Sequence, residues 1–211
     1  MARLSHLLAA AAALVLLAGA AKAADPAFDC AKADGAAEEA ICQSDGLASL
    51  DVELSRLYKL AVASVSDDKA RLDELKAYQR GWVKGRNDCW KADDLDACIV
   101  DSYAMRIHEL RQGYAGARAG EDTPSLGPFA YQCEGLDAFV SAVFINTEES
   151  LVSLAWADNW IVLPQAVSGS GARYAIEGGQ GAAEFWTKGD SAMFTPPGMT
   201  ETLDCKEEEI G

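Results

Sequence analysis

Histidine is almost missing from this chain, with two in 211 residues. One of them, His6, lies in a leader-like segment, which leaves His108 alone for chemistry. His108 falls on a helical pattern with no serine or cysteine nucleophile motif beside it, which argues against a hydrolytic triad and reads as a surface histidine. No Cys-x-x-Cys pair occurs, so thioredoxin-like redox chemistry and zinc ribbons have no support. Asp93, Asp94 and Asp96 lack the glycine and the closing glutamate of a calcium loop, and neither a metal nor a cofactor is expected. A glycan hydrolase needs an acid and a base carboxylate across a cleft. The sequence places no such pair, and the chain reads as a non-enzyme.

Positive charge is scarce too: 18 Lys and Arg stand against 33 Asp and Glu, for a formal charge of −15. That balance argues against nucleic acid and anionic lipid as partners and favours a basic one. Acidity also keeps an exported protein soluble, which is its ordinary reading. The one long apolar run, Leu7 to Ala20, follows Arg3 and His6 and leads into Ala21-Lys22-Ala23. This is the pattern of a secretory signal cleaved after Ala23, too short and wrongly flanked for a membrane span. The first cysteine is Cys30, well past that point. A soluble periplasmic or secreted protein without a membrane anchor in its mature form is therefore expected. Losing residues 1–23 would remove Arg3 and Lys22 and make the chain more acidic by two charges.

Six cysteines in an exported chain read as three disulfides. Cys30, Cys42, Cys89 and Cys98 lie early, Cys133 and Cys205 late. Even numbers in each half suggest that no bridge crosses between them. Cys133–Cys205 would close most of the second half, a stabilisation of about 4 kcal/mol in the chain-entropy picture. The early four allow three pairings, of which Cys30–Cys42 with Cys89–Cys98 is favoured.

The expected fold class is α+β in two domains, a small disulfide-stapled helical bundle followed by an antiparallel β-barrel of about eight strands. After the leader (1–23), residues 24–112 carry helical spacing. Asp34-Gly35 with Glu38 and Glu39 opens a short helix ending near Cys42. Ser44 or Asp45 caps a longer one through Leu47, Leu50, Leu54, Leu57, Tyr58, Ala61 and Val65. Leu72, Leu75, Gln79, Trp82, Arg86 and Cys89 mark a third face, and Leu95, Ile99, Tyr103, Ile107 and Leu110 a fourth. Residues 113–128, rich in glycine and proline, read as a linker. In 129–211 short strand-like segments alternate with turn residues, as in Val152, Leu154 and Trp156 against Leu151, Ser153 and Ala155. Trp156, Trp160 and Trp186 read as core and rim aromatics.

Two stretches stand out inside the second half. Ser168-Gly169-Ser170-Gly171-Ala172-Arg173-Tyr174 sets a serine between glycines, which lets its hydroxyl stand out at a loop tip. Phe185-Trp186-Thr187-Lys188-Gly189-Asp190 sets a lysine beside an aromatic pair. A hydroxyl and an ammonium suit a partner that presents carboxylates. A turn serine and a strand-end lysine are also ordinary surface residues.

These two motifs, in this order between Cys133 and Cys205, resemble the MliC/PliC family of bacterial inhibitors of c-type lysozyme over about 131–205. The resemblance implies an inhibitor in which the serine and the lysine, here Ser170 and Lys188, enter the lysozyme cleft and engage its two catalytic carboxylates. Gly171 belongs to the same motif. Tyr174 would brace the loop, and Arg173 would contact the partner or pair with Asp190. Ser170 and Lys188 are further apart than the resemblance implies, and the extra residues fall in 177–182. In the first half, Phe28-Asp29-Cys30-Ala31-Lys32-Ala33, Glu39-Ala40-Ile41-Cys42, Leu50-Asp51, Gln79-Arg80-Gly81-Trp82 and Arg86-Asn87-Asp88-Cys89 resemble the LprI-type N-terminal module over about 28–112. That likeness speaks to fold and supplies no site residues. The leading expectation is a lysozyme inhibitor that plugs the active-site cleft and protects the cell wall against host or environmental lysozyme. The alternative is a periplasmic binding or adaptor protein of the cell envelope.

Overall fold

A computed structural model describes residues 25–120, 123–179 and 181–209. The expected signal peptide and its cleavage site lie outside the described residues. A 3-10 turn at Cys30–Lys32 leads into four helices, α1 (Ala36–Gln43), α2 (Asp45–Ser64), α3 (Lys69–Asn87) and α4 (Leu95–Gly113). Short polar side chains start the last three. Ser44, Asp68 and Asp94 each accept the amide of the residue three positions on, which supplies one of the bonds a helix start lacks. Ser44, not Asp45, is the cap of α2.

The apolar stripe of α2 packs on that of α4, burying Leu47, Leu50, Leu54, Leu57 and Ala61 against Ile99, Tyr103, Ile107 and Leu110. Arg86, which the spacing set on the inner face of α3, is buried there for an electrostatic reason. Its guanidinium donates to Tyr103 Oη (2.7 Å), to Glu38 (3.1 Å) and to Asn87. Tyr103 in turn donates to Asp51 (2.7 Å), which also accepts the amide of Ala27. A buried charge persists only with its partners satisfied. Several of the LprI-like residues thus form the polar skeleton of the bundle. Cys30–Cys42 and Cys89–Cys98 staple the bundle.

Eight strands follow, β1 (Ser125–Cys133), β2 (Val140–Asn146), β3 (Ser150–Trp156), β4 (Asn159–Ala166), β5 (Ala172–Ile176), β6 (Ala183–Lys188), β7 (Ser191–Thr195) and β8 (Leu203–Glu208). Each pairs antiparallel with the next, and β8 returns to β1, closing the barrel. Closure removes free sheet edges. Cys133–Cys205 ties the closing pair at register-matched positions. Inside lie Val140, Ala142, Val152, Leu154, Leu163, Tyr174, Phe185 and Phe194.

Residues 113–128, read as a linker, hold the end of α4, a 3-10 turn at Ala115–Arg118 and the first residues of β1. Gly127-Pro128 closes the segment read as a linker. In the sheet it is an irregularity between Leu126 and Phe129, and β1 pairs with β2 on both sides of it. Gly127 has φ +99, and a Cβ there would lie 2.5 Å from the Ala142 carbonyl oxygen.

The bundle and the barrel share one core. Val143, Ile145, Leu151 and Val162, on the outer face of β2 to β4, belong to the same buried cluster as the α2 and α4 leucines. Strand β3 is therefore buried on both sides, with Val152 and Leu154 inward and Leu151 and Ser153 under the helices. A polar chain crosses the same boundary. Glu53 of α2 binds Arg56 through two contacts and accepts from the Ser125 hydroxyl; Arg111 of α4 donates to Ser125 Oγ (3.2 Å) and to the Gly127 carbonyl (2.8 Å).

His108 lies at this junction and is fully buried, which corrects its reading as a surface histidine. Its Nδ1 lies 3.1 Å from the Ser153 carbonyl oxygen and its Nε2 2.8 Å from Ser141 Oγ. A carbonyl oxygen only accepts, so Nδ1 carries the hydrogen and Nε2 takes the Ser141 proton. Burial lowers its pKa to about 4, partly offset by the bond to Ser153.

Candidate functional site

Ser170 lies in the loop joining β4 to β5, and Lys188 ends β6. Two things bring them together. In the β5–β6 ladder Ala172 faces Thr187, so the residues just before β5 and at the end of β6 share one end of the hairpin. The glycine between them closes the gap. Gly171 has φ +68, and a Cβ there would sit 2.1 Å from the Thr187 carbonyl oxygen, a distance no side chain tolerates. The longer spacing between Ser170 and Lys188 has no bearing on this end, because residues 177–182 connect the opposite ends of β5 and β6.

The loop is held by its backbone. The Ser170 carbonyl accepts from the Ser168 hydroxyl (2.6 Å) and from Trp186 Nε1 (2.8 Å), and the Ser168 oxygen accepts the Ser170 amide (3.3 Å). The Ser170 hydroxyl is left over, exposed and with no partner among the described residues. Lys188 is likewise exposed and unpaired among them. Both line one concavity of about 480 Å³, together with Trp186, Ser191, Met193 and Asp204. Its walls are the outward positions of β6, β7 and β8, where Trp186 faces Met193 and Met193 faces Asp204 across the ladders.

The other expected site residues lie elsewhere. Tyr174 points into the barrel, 3% exposed, with its ring 5.6 Å from that of Phe144. Arg173 does not pair with Asp190. It donates to Glu184 (2.6 Å) and to Glu177 (3.2 Å) on the outer face of the hairpin, outside the lining of the concavity. The residues the sequence reading missed are Trp186, whose indole anchors the Ser170 carbonyl, and the wall residues Ser191, Met193 and Asp204. Alternation in β6 was the available signal: Phe185 inward leaves Trp186 and Lys188 on one outward row. Among the described residues no cluster of three potential metal ligands occurs, and no helix is long and apolar enough to cross a membrane.

The two parts of the chain match two family models, both of lysozyme inhibitors by description. Residues 131–202 match "Membrane-bound lysozyme-inhibitor of c-type lysozyme", and residues 30–110 match "Lysozyme inhibitor LprI". Among curated proteins the chain is similar to the Lipoprotein LprI of Mycobacterium bovis and of two strains of Mycobacterium tuberculosis. Each is 29% identical over 164 residues, 77% of this chain and 76% of the relative. A match of that length exceeds either half of the chain, so it runs across both the bundle and the barrel.

Proposed function

We propose that this protein is an exported inhibitor of c-type lysozyme that fills the enzyme's cleft with the Ser170 loop and Lys188. The observation that carries the reading is the pairing of an unpartnered hydroxyl and an unpartnered ammonium on one open concavity. A glycosidase of this kind keeps one carboxyl group protonated and a second ionised. A hydroxyl can bond to either form, whereas an ammonium selects the ionised one. The partner would be a basic protein, and the formal charge of −15 suits its approach. Export rests on the leader-like residues 1–23. Gly171 acts here by positioning the loop, Tyr174 by packing beneath it, and Arg173 through the hairpin it crosslinks.

The test is inhibition of cell-wall lysis by c-type lysozyme, followed as turbidity, with the secreted protein and its variants. Ser170→Ala and Lys188→Ala should each weaken inhibition by ~1 to 3 kcal/mol, the scale of a hydrogen bond to a charged group. Inhibition constants unchanged in both variants would rule out this cleft-filling mode. The complete absence of inhibition by the parent protein would rule out the function.

A further inference from the structure

A second and larger concavity, of about 690 Å³, shares no lining residue with the first. It runs between the end of α4, the 3-10 turn that follows it and the β1–β4 side of the barrel. Gln112, Arg118, Phe139, Ser141, Trp156 and Trp160 line it. Phe139 and Trp160 put two aromatic rings on this groove, which invites a ligand with flat apolar faces; Trp156, at an inward position of β3, turns its ring towards Phe194. Phe139 is 54% exposed. The two tryptophans are half-buried and each is fixed by one neighbour, Trp156 edge-on to Phe194 (5.1 Å) and Trp160 edge-on to His108 (4.8 Å). The turn between them contains Ala157 at φ 46, the one non-glycine residue with positive φ among the described residues. A left-handed alanine is a strained choice, and such strain persists where the surrounding structure fixes it.

The polar part of the lining is incompletely used. Arg118 donates from Nη1 to the carbonyls of Arg111 and Gln112. Its other guanidinium nitrogens and the Gln112 amide have no partner among the described residues. A guanidinium with free donors takes a carboxylate, an amide takes hydroxyls or an acetamido group, and aromatic faces stack on the C–H faces of pyranose rings. Grooves at the seam of two packed units are common ligand sites.

We infer that this groove binds an acidic oligosaccharide, with the Phe139 and Trp160 rings on the sugar faces and Arg118 on the carboxylate. The site is independent of the inhibitory reading, because neither Ser170 nor Lys188 touches it. The experiment is calorimetric titration of the secreted full chain with N-acetylglucosaminyl-N-acetylmuramic acid, with neutral di-N-acetylchitobiose as the comparison. The acidic disaccharide should bind, and the neutral one roughly tenfold more weakly, as expected for loss of a charge-assisted bond. Phe139→Ala, at an exposed position that leaves the fold intact, should weaken both by roughly tenfold. Arg118→Gln should erase the preference between them, and Ser170→Ala should change neither. No binding of either sugar, equal binding of both by the parent protein, or a Phe139→Ala variant that binds like the parent overturns the inference.

Discussion

The barrel has two outer faces that the chain treats in opposite ways. Across β2 to β4 the outward positions Val143, Ile145, Leu151, Ser153 and Val162 are buried under the helices. Their polar neighbours are bonded, His108 to Ser141 and Ser153, Arg111 to Ser125 and Gly127. Across β6 to β8 the outward positions are Trp186, Lys188, Ser191, Met193 and Asp204, open to solvent, with Lys188 unpaired among the described residues. One face spends its side chains on cohesion and the other keeps donors free. An unpartnered cation can be kept only in water or against a partner, so a recognition site belongs on the uncovered face. The bundle covers the opposite one and leaves the concavity clear.

Acid should act on the covered face through His108. His108 is neutral in both folded and unfolded chains above its ordinary pKa of 6.5. Between 6.5 and the folded value of about 4 the unfolded chain takes up a proton that the buried ring refuses. Stability therefore falls as pH falls through this window, by at most about 3 kcal/mol from this one group. Ser141, Ser153 and Trp160 face the ring and do not titrate there. Urea unfolding at pH 7 and pH 4 should show the full loss in the parent protein and a smaller one in His108→Gln. Equal losses in both would mean that the junction is not what acid attacks.

The contrast between the faces also explains what the sequence conceals. The helices, the strand count, the short-range disulfides Cys30–Cys42 and Cys89–Cys98 and the two loop motifs are local signals, carried by spacing and by turn residues. The junction is not local. The apolar stripe of α4 through Ile99, Tyr103, Ile107 and Leu110 marks one buried face. The second face is built from His108 and Arg111, polar residues that read as surface until their partners on β1, β2 and β3 are known. Likewise Leu151 and Ser153, opposite Val152 and Leu154, look like the outer half of an alternating strand. Two-sided burial replaces the polar outer row of a solvated strand by apolar and small residues, a weak cue in seven residues. The motifs single out Ser170 and Lys188, which line one concavity, whereas Trp186 reads as packing because its bond goes to a backbone carbonyl.

On the open face the most damaging small change is at a position with no side chain. Gly171→Ala adds a Cβ that would lie 2.1 Å from the Thr187 carbonyl oxygen, at a φ of +68 that alanine resists. The loop must shift, at a cost of about 1 to 3 kcal/mol. The barrel core does not depend on it. The expected outcome is a folded protein with an unfolding midpoint a few degrees below the parent's and inhibition reduced more than in Ser170→Ala, since the whole tip moves. Retention of full inhibition by Gly171→Ala would show that the loop conformation is dispensable.

The finest cut separates the loop's anchor from its hydroxyl. Trp186→Phe keeps a ring in the wall of the concavity and removes the indole N–H that holds the Ser170 carbonyl at 2.8 Å, together with the pyrrole half of the ring. That carbonyl retains the Ser168 hydroxyl at 2.6 Å, so the loop loosens without losing its turn. A single neutral hydrogen bond at a solvent-accessible site contributes about 0.5 to 1.5 kcal/mol, which sets the expected loss of inhibition. The loss should appear as faster dissociation from lysozyme with association unchanged, because the charge that governs encounter is untouched. Combining Trp186→Phe with Ser170→Ala should then cost less than the sum of the two, since ordering the tip matters only while it carries its hydroxyl. Strict additivity would mean that the indole contacts the enzyme directly and does not act through Ser170.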